Sequence, residues 1–416
     1  MLLFRKACSV FMALASSLLA APAGADVISD WNARADAIAA ERRVTALPHA
    51  HNMALLQVAV FEAVNAVERR YAPYKLNLPS DKTASTEAAA AASAHAVLLS
   101  LFPEERTKLD ASLASSLERV VDGQPKTNGI ELGRRAAAEL LALRAKDSAK
   151  APDTYRPHAA PGVYVPTVIP VGVTFGGITP WSMKSGAQFR PPAPPPLGSD
   201  AWARDLNEIC EIGGLNSTKR TAEQTNIGRF WLITGPQSWN PVVRELVRLK
   251  PLDLADSARL FALVAMATDD AYIAVFDAKY HYNLWRPVTA IRNADSTGNP
   301  ATPRDATWLP LGETPMHPEY PCAHCITSAA AAVVLKSVFG NSIPAVTITS
   351  PTAPGVTRTW TRIDDYADEI AMARIYAGFH YRFSTQVGAE MGRKIGELTV
   401  KTQLRASEAA SVPEPR

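Results

Sequence analysis

Cysteine is scarce in this chain, with 4 among 416 residues. So few thiols exclude a fold held mainly by cross-links. A charge of one sign is also lacking. The 43 lysines and arginines face 40 aspartates and glutamates, which leaves +3. That balance gives no electrostatic footprint for nucleic acid or an anionic membrane surface. Long apolar runs are missing beyond the N-terminus. The best is Ala88 to Pro103, which contains Ser93, His95 and Ser100 and falls short of the roughly 20 residues a membrane helix needs. No integral membrane segment is therefore expected in the mature chain. Alternating strand and helix patterns of the βαβ kind are absent too, and strands are nearly so.

What is present begins with an N-terminal export signal. Arg5 and Lys6 precede an apolar stretch from Ala7 to Ala20, and Ala23-Gly24-Ala25 is a small-residue cleavage site. Residues 1–25 are expected to be removed in a periplasmic or secreted protein. Maturation takes Cys8 and leaves Cys210, Cys322 and Cys325. An apolar fraction of 47% permits a large core.

Residues 26–150 read as an N-terminal helical bundle. His51 to Val64, Ala88 to Phe102 and Glu131 to Lys146 place apolar residues at three- and four-residue intervals. Residues 151–200 change character, with eleven prolines between 151 and 199. Aromatic and β-branched residues there (Tyr164, Val165, Phe175, Trp181, Phe189) predict an ordered strap rather than a disordered linker. Helical pattern resumes over 201–404, and 405–416 reads as a disordered tail. The longest segment runs from Asp253 to about Trp285. Another starts near Cys322 and has Gly340 as its cap. A short extended piece is expected around Val346 to Thr349. The fold class is all-α: two helical bundles joined by a proline-rich strap.

Three blocks carry chemistry. They are Lys279-Tyr-His-Tyr-Asn-Leu-Trp-Arg286-Pro287, Pro321-Cys322-Ala323-His324, and Arg374-Ile-Tyr-Ala-Gly-Phe-His380. If the helix ran on, Lys279 and Arg286 would return to one stripe two turns apart. His324 opens an alanine-rich run, where helix-start N–H groups favour an anion. On a continuous helix Arg374 and His380 would stand about 120° apart. They converge if the helix breaks at Gly378, with Ser384 or Thr385 capping the next one. His317 lies seven residues before His324. Taken singly, each of these groups is more often structural. Three long cations with two imidazoles, together, suit a tetrahedral oxyanion.

The order of the blocks resembles the signature of the vanadium-dependent haloperoxidases and the type-2 phosphatidic acid phosphatases, in particular the bacterial haloperoxidase-like branch. Phe189-Arg-Pro-Pro, Arg220-Thr-Ala-Glu-Gln-Thr, Phe230-Trp231 and Asp277-Ala-Lys-Tyr resemble further segments of that branch. The resemblance implies a haloperoxidase that oxidises halide with hydrogen peroxide at vanadate, phosphate competing for the site. Lys279, Arg286 and Arg374 would bind the equatorial oxygens and Lys279 would polarise the peroxide. His324 would be the acid–base group and His380 the vanadium ligand, with His317 beside them. The alternative is a soluble acid phosphatase that splits a phosphate ester through a phosphohistidine at His380. Relatives include homodimers.

The second block departs from the family's Pro-Ser-Gly-His. Ala323 keeps the N–H that glycine would offer the oxyanion, and Cys322 offers an S–H where a hydroxyl is usual. Ala373 stands where a serine precedes the arginine, and Ser384 where an aspartate often follows the histidine. Cys322 and Cys325 have rival uses: a local disulfide that leaves Cys210 as a buried thiol, a C-x-x-C thiol–disulfide oxidoreductase motif, or, with His317 and His324, a zinc site.

Overall fold

The structure, a computed structural model, describes residues 26–147 and 153–407. The expected signal peptide and residues 408–416 of the expected tail lie outside the described residues. Among the described residues, the helices in chain order are α1 Val27–Glu41, α2 Ala46–Glu68, α3 Thr86–Leu101, α4 Arg106–Glu118 and α5 Gln124–Arg144. After the strap come α6 Asp200–Gly213, α7 Ala222–Phe230, α8 Asn240–Leu249, α9 Leu254–Tyr282 and α10 Pro287–Arg292. The last are α11 Ala323–Phe339, α12 Ile363–Tyr376 and α13 Arg382–Thr402. An antiparallel strand pair, β1 Ser342–Thr349 and β2 Thr357–Arg362, pairs Val346 with Trp360 and Thr349 with Thr357. It contains the extended piece expected near Val346.

Two helices are buried nearly all round and so lie inside, with most of their positions apolar. They are α2 and α9, in which nearly every residue from Met53 to Val67 and from Leu260 to Phe276 is buried. α9 has 29 residues and so is about 43 Å long. It packs against α2 on one side and α11 on the other, so both bundles share it. One apolar cluster accordingly runs from Val27 to Leu404.

α13 meets α11 through a row of glycines four residues apart. A Cβ at Gly388 would stand 2.7 Å from the carbonyl oxygen of Cys322, and one at Gly392 would stand 2.1 Å from that of Ile326. Gly396 faces Ala330 in the same way, at 2.8 Å. Only hydrogen fits there. That contact fixes the start of α11.

Residues 153–199 form no α-helix, since proline removes donors and blocks the helical turn. Their backbone is held from outside. Asp270 accepts the N–H groups of Trp181 and Ser182 at 2.7 and 2.8 Å, and Asp269 accepts the Trp181 indole at 2.8 Å. Arg190 grips Asp277 with two bonds of 2.9 Å. Trp181 and Phe175 belong to the core. The first three residues expected as tail, 405–407, are instead paired with 70–72 through Ala72 N–H to Arg405 O and Ser407 N–H to Arg70 O.

Candidate active site

Lys279 ends the last turns of α9, but Arg286 does not share its helix. The helix stops at Tyr282 because Asn283 turns left-handed, with φ 49°, a conformation asparagine tolerates. Pro287 then keeps Arg286 extended, at φ −77° and ψ 154°. The single stripe expected from the seven-residue spacing is replaced by a sharp turn. That turn folds both cations onto one loop, residues 315–322.

Lys279 is fully buried, and its ammonium donates to the carbonyls of Pro318, Glu319 and Pro321 at 2.9, 2.7 and 2.5 Å. An ammonium has three hydrogens. None is left for an oxyanion in this conformation, contrary to the expectation from sequence. Lys279 here holds the backbone that leads into α11. Arg286 donates through Nε to His317 O at 2.8 Å and through Nη1 to Phe379 O at 3.1 Å. Its Nη2 stands 2.9 Å from His317 Nδ1.

α11 begins at Ala323, with Cys322 as its N-cap. The sulfurs of Cys322 and Cys325 are bonded to each other. Cys322 therefore has no S–H to give an oxyanion, and that expectation is corrected. Both cysteines are buried and stand in a helical setting, which removes the grounds for a dithiol oxidoreductase. The shared bond also takes the thiolates a zinc site would need. Cys210 is half-buried rather than buried, and burial pushes its thiol pKa up, aided by Asp305 and Glu211. The N–H groups of Ala323 and His324 lie in the first turn, which an α-helix leaves without internal partners. The His324 ring places Nε2 2.9 Å from the carbonyl of Ile233. A carbonyl only accepts, so Nε2 carries the proton and Nδ1 the lone pair.

The break between Arg374 and His380 falls where expected, at Gly378, whose φ is +79°. A Cβ there would also meet the carbonyl of Gly213 at 2.5 Å. The next helix starts earlier than expected, at Arg382 behind Tyr381, not behind Ser384 or Thr385. Carboxylates from elsewhere satisfy its entry: Asp205 of α6 accepts the Phe383 N–H at 2.7 Å, and Glu319 accepts that of Tyr381 at 3.1 Å.

Glu319 also binds His380, with Oε1 2.8 Å from Nδ1. Charge fixes the tautomer. A carboxylate accepts the Nδ1 proton, so Nε2 is left with a lone pair, which faces Arg286 Nη1 at 3.3 Å. Glu319 was not singled out from sequence. Its one local signal is a carboxylate two residues before the Pro321 block, and its partner lies 61 positions away.

Lys279, Arg286, Arg374 and Glu319 are all almost wholly buried, so three cations face one carboxylate. Burial first, and then Arg286 and Arg374, lowers the pKa of Lys279 well below its ordinary value. Burial brings Arg286 down to about 10, against the pull of Glu319. Burial and then Arg286 bring Arg374 down to about 9. Burial pushes Glu319 up to about 7, although Lys279 and Arg286 oppose it. Burial and the surrounding cations hold His317, His324 and His380 well below the imidazole range.

A cavity of about 220 Å³ lies among these groups, bounded by His317, Ala323, His324, Arg374 and His380, with Tyr272 and Phe276 beside them. Arg374 donates to Trp231 O at 2.6 Å, but its buried Nε has no partner. An orphaned guanidinium donor, surplus positive charge, helix-start N–H groups and the lone pair of His380 fit a compact oxyanion with an electrophilic centre. Vanadate and phosphate both answer that description.

A model of the VCPO second helical-bundle domain matches residues 259–408, which contain all three sequence blocks. Vanadium chloroperoxidase of Curvularia inaequalis is 28% identical over 241 residues, covering 42% of this chain and 39% of that enzyme. The chain thus spans about two fifths of that relative's length. A crystal structure described as the first bacterial vanadium-dependent iodoperoxidase superposes with a TM-score of 0.78 at 26% identity, over 92% of this chain and 97% of that one. An apo bacterial vanadium-dependent chloroperoxidase gives 0.67 at 14% identity, over 85% and 92% of the two chains, a likeness of fold alone.

Proposed function

We propose that the chain is a vanadium haloperoxidase, as its likeness to that family suggests, and that it oxidises halide with hydrogen peroxide at a vanadate held by His380. The observation that carries this reading is the buried Glu319–His380 pair beside a cavity whose wall includes Arg374 with its unpartnered Nε.

Each residue has a task. Glu319 holds His380 in the tautomer that offers Nε2 and makes that nitrogen a stronger donor, as a carboxylate behind a ligating imidazole does. Arg374 would bring its unpartnered Nε to the oxyanion's negative oxygens, and Arg286 Nη1 would turn to them once His380 Nε2 is taken by the anion. Ala323 and His324 add first-turn N–H groups. Lys279 keeps 318–321 in place, and direct contact with the anion would require it to release one carbonyl. Vanadate held by these residues would supply Lewis acidity toward peroxide. The balance is halide, hydrogen peroxide and a proton in, hypohalous acid and water out. His324, neutral and at the cavity wall, carries protons for that exchange.

The test is purification without oxyanion, followed by assay of iodide and bromide oxidation with and without orthovanadate. Activity is expected with vanadate alone, suppressed by excess phosphate and lost in His380→Ala. His324→Ala should keep vanadate binding and lose about a hundred- to ten-thousand-fold in rate. Phosphate-ester hydrolysis without halide oxidation would overturn the assignment in favour of a phosphatase.

A further inference from the structure

The Cys322–Cys325 bond closes around the turn that offers its N–H groups to an oxyanion. It joins the N-cap of α11 to the third residue of that helix and encloses Ala323 and His324. Both enclosed residues line the oxyanion cavity, and their N–H groups are among those an α-helix leaves without internal partners.

The flanks of this turn are fixed. Lys279 holds the carbonyls of Pro318, Glu319 and Pro321 just before it, and Cys322 N–H donates to Ser384 O at 3.3 Å. α13 closes in from the side: a Cβ at Gly388 would stand 3.3 Å from Cys325 Cβ and 3.4 Å from Cys322 Cβ. The helix cap itself is weak. Cys325 N–H points at Cys322 Sγ at 3.2 Å, and sulfur is a poor acceptor beside the oxygens that usually cap helices. The covalent bond therefore does what the cap alone would not. Reduction would also change the space required, because two thiols must stand a van der Waals distance apart and two bonded sulfurs need not. Both cysteines are buried, at 0 and 1% exposure, and close-packed surroundings do not absorb such an increase. The first turn has to give way, and Ala323 and His324 move with it.

We infer that Cys322 and Cys325 are positioning residues for oxyanion binding: the site is complete only while they are joined, so its affinity follows thiol oxidation. The inference rests on the oxyanion reading above. Opening the bond takes two electrons and two protons from a dithiol, which closes into its own disulfide as the Cys322–Cys325 bond breaks. In a reducing compartment the chain would hold its oxyanion weakly, and transfer to an oxidising one would complete the site.

Linkage supplies the test, since a bond that favours the oxyanion must be favoured by it in return. Phosphate is the probe, because dithiols reduce vanadate. Calorimetry is expected to show phosphate binding about tenfold weaker after reduction, near the worth of one hydrogen bond to a charged group. Saturating phosphate should then lower the midpoint potential of the pair, titrated in dithiothreitol redox buffers, by about 30 mV, which is that tenfold converted for two electrons. A bond that only adds stability, without setting the turn, would leave the potential where it was. Cys325→Ser and Cys325→Ala, each checked by thermal melting, should bind phosphate as the reduced protein does and no longer respond to reductant. If the oxidised wild type fails to bind phosphate, the oxyanion reading itself falls. Equal phosphate binding in both thiol states, with an unmoved potential, would overturn this inference alone. Loss of the folded state on reduction would overturn it too, because the bond would then be a staple of the whole fold.

Discussion

Glu319 ties together more of the site than any other single residue described above. Its carboxylate orients His380, its carbonyl accepts from Lys279, and its N–H donates to Leu284 O at 2.8 Å. Glu319→Gln keeps the size and one acceptor oxygen but removes the charge that strengthens His380 as a donor. Orthovanadate affinity, measured by equilibrium dialysis without peroxide, is expected to fall about ten- to a hundredfold, as for other second-layer partners of a ligating histidine. Unchanged affinity would reduce Glu319 to a structural tie. At this scale the sequence disclosed the cations and both histidines, because their residue types are unusual in combination. It did not disclose Glu319, since a lone glutamate between Pro318 and Tyr320 has no local pattern. The saturation of Lys279 was also out of reach, because three backbone carbonyls leave no mark on side-chain order.

At the scale of elements, boundaries governed by local rules were readable and those governed by distant partners were not. Gly340 caps α11 and Gly378 breaks the chain before His380, both as expected, and both have a positive φ, 74° and 79°. Asn283 ended α9 by the same left-handed route, but the spacing argument had carried the helix through it. The start of α13 depends on Asp205, which lies 178 positions from Phe383, so no local cap could have shown it. The contact of α13 with α11 supplies a test. A methyl group at Gly392 would press on the carbonyl of Ile326 at 2.1 Å, which forces the helices apart. Gly392→Ala is expected to cost about 1–3 kcal/mol, as overpacking does, and chemical denaturation reads that loss. Because the same contact sets the first turn of α11, vanadate affinity should fall as well. A variant with wild-type stability would mean that the interface yields without strain.

For the molecule as a whole, the all-α class followed from helical periodicity and from missing strand patterns, and the strap from proline density. The sharing of α9 between the halves was less visible, since all-round burial of a helix looks like a simple excess of apolar residues.

The excess of buried positive charge around the cavity makes anion binding a proton-linked event. Burial and mutual repulsion weaken the hold of Lys279, Arg286, Arg374 and the three histidines on their protons. An entering anion reverses that, raising each pKa toward its ordinary value. At fixed pH more protons are then bound with the anion than without it, so affinity must decline as pH rises between the depressed and restored values. Phosphate titrated calorimetrically at pH 8, in two buffers with different ionisation heats, should show net proton uptake once phosphate's own protonation is subtracted. Net release would mean that the cations are already compensated. With uptake, the protein takes in acid together with its oxyanion and releases both more readily as the medium turns alkaline.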